Sequence, residues 1–463
     1  MVAWRRGSVV CPSRSGSDGS GNVAESAQNH VDLLEGLSAP VTVGQIELTM
    51  PFEVQIADLR GRPGAALLLV RLHRAPLGVV TMSNLGEPDA LSRLAERIWT
   101  TLSPEIAQHL ASDGAPPVDR LSEHGLDRCP AICRRPRGGD HRGSPLVSVI
   151  VATRDRPRLL ASCLDSLQAM EYQNFEILVV DNAPANDDTR DLVDSHYSGS
   201  VRYLREPVAG LAAAHNHGLR SARGEIVAFT DDDVVVDRNW LDGLVAALRN
   251  TDGAGAATGL IMPLELETPA QLLLERHGGF SKGFKRRVFG LERHRPLDRL
   301  FPFTVGQIGS GANMAFETDL LRDLGGFDQA LGTGTRARGG DDLAGMLSVI
   351  LAGRQIVFEP SAIVWHRHRR DMDDLASQAR GYGVGLGAYL MSAVYAHPSL
   401  AFRIATRVAP GWRFAFSPHS RRNAHRFDGW PRALVWQERK GLLVGPLAYL
   451  LSRVERRDRL RVR

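Results

Sequence analysis

The sequence predicts an α/β protein built on a mostly parallel central sheet with helices on both faces, preceded by a small α+β unit and followed by a helical, basic region. Two observations carry the central part. After Pro145, apolar runs with the character of strands alternate with segments of helical periodicity. Those runs are continuous rather than alternating, as in strands covered on both sides. A third observation, the chain length, carries the flanking regions. At 463 residues the chain exceeds the roughly 250–300 residues at which a single core stops growing.

In chain order, residues 1–40 are rich in Ser, Gly and Asn and read as a flexible tail. Residues 41–133 form the expected α+β unit. The apolar runs Ala65 to Leu72 and Leu77 to Met82 flank a short polar turn, and Asp89 to Leu102 carries Leu91, Leu94, Ile98 and Leu102 at helical spacing. The Arg-, Gly- and Pro-rich stretch 134–145 reads as a linker.

Residues 146–370 hold the predicted sheet. Val147 to Ala152 is a buried central strand, followed by a helix with the stripe Leu159, Leu160, Cys163, Leu164 and Leu167. Phe175 to Val180, Val201 to Leu204 and Glu225 to Phe229 are the next strands, with a helix over Leu211 to Ala222. Past Gly253 come more short strands, a basic loop over Gly278 to Arg295, a helix from Asp341 to Ala352 and a strand ending near Trp365.

Residues 371–463 are expected to be helical. From 401 onward they hold 15 Arg and Lys against 4 Asp and Glu. Leu442 to Leu451, followed by Arg453, Arg456 and Arg457, has two readings: a peripheral contact with an anionic membrane surface, or a packed helix with a solvated basic end. Gly381, Gly383, Gly385 and Gly387 follow no strand, so they predict close helix packing rather than a dinucleotide loop.

Composition narrows the function classes. The net charge of +4 comes from 56 basic and 52 acidic residues interleaved along most of the chain, which argues against nucleic-acid binding. Only three basic residues are lysines, Lys282, Lys285 and Lys440, an arginine bias expected of a GC-rich bacterial genome. Four cysteines are too few for a disulfide framework. Cys129 and Cys133 lack a second ligand pair and read as loop or packing residues. There is neither a signal-peptide pattern at the start nor a run of about 20 apolar residues, so a cytoplasmic protein is expected, with the membrane face as its alternative site.

In open α/β sheets ligands bind at the carboxyl ends of the strands. Here those ends collect Thr153, Arg154 and Asp155, then Asp181 and Asn182, then Asp231, Asp232 and Asp233. Carboxylates gathered in one crevice repel one another unless a cation or protons intervene. Asp231 and Asp233 are one residue apart, so in an extended segment both point to the same side, about 7 Å apart at Cα, as oxygen ligands suited to Mg2+ or Mn2+. An acidic turn before a helix is the plainer alternative. Downstream, Asp341 and Asp342 precede a helix, where a carboxylate can also be a cap, and His366 closes a strand. Their co-occurrence with the acidic strand end favours a catalytic reading.

From Leu146 to His368 the sequence resembles the family 2 glycosyltransferases, inverting enzymes with the Rossmann-like GT-A fold. Val147-Ser148-Val149-Ile150-Val151-Ala152-Thr153-Arg154-Asp155-Arg156-Pro157 is similar to the family's opening strand and nucleotide-contacting loop. Phe175 to Asn182 is similar to its second strand, whose terminal Asp contacts base or ribose. Gly210 to Gly218, then Gly224 to Asp233, resembles the helix and the DxD strand end, and Gly309 to Phe316 the segment lining donor sugar and acceptor.

The resemblance implies that Asp231 and Asp233 hold a divalent metal, Mn2+ or Mg2+, with His366 completing the site in preference to His368. It implies Asp342 as general base, with Asp341 beside it. Thr153, Arg154, Asp155, Asp181, Asn216, Asp232, Gly311 and Asn313 would contact the donor, a UDP-, dTDP- or GDP-sugar. The acceptor class (glycan, lipid, peptide or small molecule) stays open. Two positions depart from the family pattern: Asp341-Asp342 replaces the usual Glu-Asp, and His215-Asn216 replaces a frequent Arg-Asn, removing one positive contact. Membrane spans and a Gln-x-x-Arg-Trp signature are lacking, which favours non-processive transfer of a sugar to an acceptor hydroxyl. The alternatives are a nucleotidyltransferase acting on sugar phosphates, which usually carries a Gly-rich basic loop that Thr153 to Pro157 lacks, and a non-catalytic sugar-nucleotide-binding protein.

Overall fold

The computed structural model describes residues 33–56, 64–126, 143–277, 279–417 and 430–461. Cys11, Cys129, Cys133, most of the expected tail and most of the expected linker lie outside the described residues. Cys163, assigned to a helix stripe, is buried in the core.

Among the described residues the main sheet has nine strands. They are β4 (Val147–Thr153), β5 (Phe175–Asn182), β6 (Val201–Glu206), β7 (Ile226–Asp231), β8 (Val234–Val236), β9 (Ala254–Pro263), β10 (Arg287–Phe289), β11 (Met314–Glu317) and β12 (Gln355–His366). Their order is β10-β12-β9-β11-β7-β4-β5-β6, with β8 pairing β12. β4 is parallel to β5 and β7, β5 to β6, and β9 to β12, whereas β8, β10 and β11 run antiparallel to their neighbours.

The continuous apolar run of β4 is explained by two cores. Val147, Val149 and Val151 face one, with Leu160, Leu164 and Trp240, and Ile150 and Ala152 face the other, with Leu219, Phe229, Phe327 and Ile350. Successive residues point to opposite faces of a strand, so a strand buried on both sides loses the polar half of its pattern. The segment after Gly253, expected as short strands, is instead one ten-residue strand buried throughout. It lies between β11 and β12 and so has no edge. The basic loop 279–295 contributes the three-residue edge strand β10, whose flanking arginines hide any apolar signal.

Before this sheet lies a smaller one of β1 (Val41–Glu47), β2 (Ala65–Leu72) and β3 (Ala75–Ser83), with helix Ala90–Ser112 on one face. Leu68 and Val70 of β2 meet Leu94, Ile98 and Leu102 of that helix. Leu67 and Leu69 project the other way, into a core shared with Leu260 and Met262 of β9 and Ile363 of β12. The unit is therefore seated on the main sheet. Its buried ion pair Arg71–Asp237, at 2.6 Å, and the pair Arg74–Glu171, at 2.6 Å, lie on the same junction.

Two long helices follow β12, Met372–Ala396 and Arg432–Arg461, and cross through glycines. A Cβ on Gly383 would overlap the carbonyl of Glu438, one on Gly387 that of Leu442, and one on Gly441 would lie 2.7 Å from the Arg380 oxygen. Two of the alternating glycines therefore serve backbone approach between helices. A third, Gly385, serves the site described next. None of the described helices is long and apolar enough to cross a membrane.

Candidate active site

Register brings the strand ends together. Thr153 pairs with Asp181, and Ala152 with Asp231, so the ends of β4, β5 and β7 open on one crevice. The far end of β12 joins them because His366 pairs with Val234, the residue after Asp233. Ligand atoms of Asp231, Asp233 and His366 lie within 4.8 Å of one another, with His366 Nε2 3.5 Å from Asp233 Oδ1. Burial pushes His366 down to about 4, leaving a neutral ring with a lone pair to offer. His368, the competing ligand, is turned to Glu275 at 2.8 Å and lies 3.1 Å from His366 Nδ1, so it braces the ring behind.

Burial, with Asp233 and Asp232 beside it, raises Asp231 well above the usual carboxylate range. Burial and Asp233 hold Asp232 up at about 6, although Arg156 lies 3.2 Å away and the Thr153 hydroxyl donates to it at 2.7 Å. Such shifts mark carboxylates crowded without enough positive charge. Two oxygens and one neutral imidazole are a donor set that fits a divalent cation, and Mn2+ accepts imidazole more readily than Mg2+ does.

On the other wall, helix Asp341–Leu351 starts after Gly340, whose φ of 87° only glycine adopts readily. A Cβ at Gly340 would also strike the Gly385 oxygen at 2.6 Å, so the long C-terminal helix backs the turn that presents both aspartates. They take different environments. Asp341 is buried, 3.6 Å from His215, with Oδ2 lacking a hydrogen bond among the described residues. Asp342 is half-buried and accepts from the backbone N–H groups of Gly311 at 3.0 Å and Leu343 at 2.8 Å. Burial and the neighbouring Asp341 hold it up at about 6.

The remaining expected donor contacts divide. Asp181 is fully buried, accepts from Tyr203 at 2.8 Å and keeps Oδ1 without a hydrogen bond among the described residues. Asp155, in a left-handed conformation with φ 55°, accepts from the Ala185 N–H at 2.8 Å, and Arg154 lies 3.6 Å from it. Asn216 and Asn313, expected at the donor, make their side-chain hydrogen bonds inside the protein. Asn216 closes both ends of its amide on the backbone of Phe327, at 2.8 Å each. Asn313, with no exposed surface, donates to Leu260 and Ala362 and accepts from the Trp240 indole. Both are spent on core hydrogen bonding, because a buried amide left unpaired is costly.

Positive groups that sequence reasoning did not single out also face the crevice. Arg369 lies 4.0 Å from Asp233, and Arg156 bridges Asp232 and Asp233. Burial and Arg287 push Lys282 down to about 8, while Asp342 pulls it back up. Arg156 was legible as part of the first strand-end loop. Lys282 sits in a loop that spacing does not position.

Residues 148–325 match the family described as glycosyl transferase family 2. Over this stretch the chain is similar to the family 2 glycosyltransferases. The family 2 match extends into curated relatives. The chain is 29% identical over 304 residues to the pre-mycofactocin glycosyltransferase of Mycobacterium tuberculosis, covering 64% of this chain and 57% of that protein. It is 29% identical over 195 residues to the O-antigen biosynthesis protein RfbC of Myxococcus xanthus, covering 41% of this chain and 15% of that one. The chain thus spans little more than half of the first relative and a small part of the second. Among solved structures it is similar to the mannosyltransferase PcManGT of Pyrobaculum calidifontis in complex with GDP-Man and Mn2+, with a TM-score of 0.43 and 19% identity over 79% of this chain and 96% of that one. Asp342 and His366 lie beyond the matched stretch, and the fold brings them back to it.

Proposed function

We propose that this protein is an inverting, non-processive glycosyltransferase of the GT-A type that transfers one sugar from a nucleotide-sugar donor to an acceptor hydroxyl. The observation that carries the reading is the cluster Asp231, Asp233 and His366 with the separately held carboxylate of Asp342 near enough for its charge to raise Asp231. Asp231, Asp233 and His366 would hold Mn2+ or Mg2+. A divalent cation bound there would neutralise the diphosphate as it leaves. Arg156 and Arg369 add positive charge on the same side, replacing the contact expected at His215.

The unpaired Oδ1 of Asp181 is an acceptor suited to a base N–H or a ribose hydroxyl, with Asp155 and Arg154 at the rim. Asp342 is the proposed base. It removes the proton of the acceptor hydroxyl as that oxygen attacks the anomeric carbon opposite the departing diphosphate, which inverts the centre. Gly311 and Leu343 N–H groups fix its orientation, and Asp341 keeps its proton affinity high. Thermal unfolding against a panel of UDP-, dTDP- and GDP-sugars with Mn2+ tests the donor class. One nucleotide is expected to raise the midpoint by mass action, and no response to any of them overturns the reading.

The division into a seated α+β unit, a catalytic unit and a helical C-terminal region belongs to the same proposal, as does a place on an anionic membrane surface. Helix Arg432–Arg461 buries Gly441, Gly445, Ala448, Tyr449 and Ser452 and exposes Trp436, Leu443, Val444, Leu447, Leu451 and Val454. Arginines flank this second stripe, which is the pattern of an interfacial helix. The protein is expected to float with vesicles containing anionic lipid and to stay behind after Leu443→Glu with Leu447→Glu. Equal flotation of both forms removes the membrane from the proposal.

A further inference from the structure

Far along the chain from the catalytic residues, the turn between β2 and β3 meets the end of helix Ala90–Ser112. Three potential ligand atoms converge there. His73 Nδ1 lies 2.7 Å from Asp113 Oδ2 and 3.2 Å from His109 Nε2, and His109 Nε2 lies 3.2 Å from the same carboxylate oxygen. All three side chains are largely buried, at 4%, 11% and 14% exposure. We propose that His73, His109 and Asp113 bind a divalent transition-metal ion of the zinc class, with water as its fourth ligand.

The distances support this. Ligands about 2.0–2.1 Å from a tetrahedral zinc are about 3.3 Å from one another. Two of the three separations already sit near that value, and a small pivot of the Asp113 carboxylate opens the third. Chemistry points the same way. Two imidazole nitrogens and one carboxylate oxygen converge on one point, each able to offer a lone pair. A single cation at the centre takes all three lone pairs. Two imidazoles with one carboxylate favour zinc over magnesium, which prefers oxygen throughout.

The framework is prepared for such an ion. His109 and Asp113 are four residues apart at a helix end, a spacing that puts two ligands on one face. His73 and Arg74 both adopt left-handed backbone conformations, with φ of 52° and 70°, and the Glu47 carboxylate accepts from both of their N–H groups at 3.0 and 2.9 Å. Non-glycine residues held there are strained and persist where the surroundings fix them. The same turn is flanked by Arg71 and Arg74, whose carboxylate partners Asp237 and Glu171 belong to the catalytic unit. The ion would therefore fix the junction through which the small sheet is seated.

The experiment uses the full chain, stripped with chelator and reloaded with Zn2+ or Co2+. After desalting, wild type and Asp233→Asn are expected to retain one zinc that His109→Gln and Asp113→Asn lose. Zinc is expected to raise the unfolding midpoint of the first two and not of the latter pair. The cobalt forms of the first two are expected to show the visible absorption of a tetrahedral site. Folding of the variants is checked by circular dichroism. Equal zinc retention in wild type and in both folded His109 and Asp113 variants overturns the proposal, as does the lack of any zinc-dependent stabilisation in Asp233→Asn. Neither result bears on the glycosyltransferase reading, since the two clusters share no residue.

Discussion

Asp342→Asn is expected to abolish sugar transfer while leaving donor binding intact. The change removes the proton acceptor but keeps the shape and the hydrogen bond from Gly311. General-base catalysis contributes about 10^2–10^4-fold, so kcat should fall by about 10^3, or about 4 kcal/mol of barrier, with donor affinity within a factor of about two. Calorimetry with a nucleoside diphosphate and a transfer or donor-hydrolysis assay on the same preparation read both halves. Retention of turnover in the variant would sink the assignment of the base, and loss of donor binding would assign Asp342 to binding instead.

The pH dependence follows with its sign. Burial and Asp341 hold Asp342 at about 6, and the base acts only when ionised. In wild type kcat/KM should level off above that value and fall about tenfold for each further unit of acid below it. A flat profile between pH 5 and 8 would contradict the role.

Asp233→Asn is expected to act through binding rather than through proton transfer. Asp233 faces His366 at 3.5 Å and Arg369 at 4.0 Å, and it is the carboxylate that joins the two ends of β7 and β12. Losing a direct ligand should weaken Mn2+-dependent nucleotide affinity by more than about 100-fold, the upper range seen for loss of supporting groups alone. Calorimetry of a nucleoside diphosphate in Mn2+ and in chelator gives the test. Equal affinity in the two buffers for wild type would remove Asp233, Asp231 and His366 from the metal role together.

Much of the fold was legible because burial writes directly into strand and helix composition. Val147 to Ala152 and Phe175 to Val180 emerge as strands where spacing puts them, and of the predicted stripe Leu160, Cys163, Leu164 and Leu167 are buried while Leu159 is only half-buried. The strand β10 and the single long β9 were not legible. One is short and polar, and the other becomes a single strand only because two partners flank it. The small α+β unit was visible as a pattern, yet its second buried face was not, since an apolar residue does not name the surface that covers it.

The sequence by itself determined that carboxylates would gather at the ends of β4, β5 and β7, because parallel strands must end on the same side. It also determined the glycines that let the last helices approach. Tertiary structure alone decided that Asn216 and Asn313 bond within the core. It gave geometry to two choices the family resemblance had already favoured: His366 faces Asp233 with His368 turned to Glu275, and Asp342 is more exposed than Asp341. The reason is physical. Residue type fixes what a side chain can bond to, but which partner it meets depends on atoms brought near from distant parts of the chain.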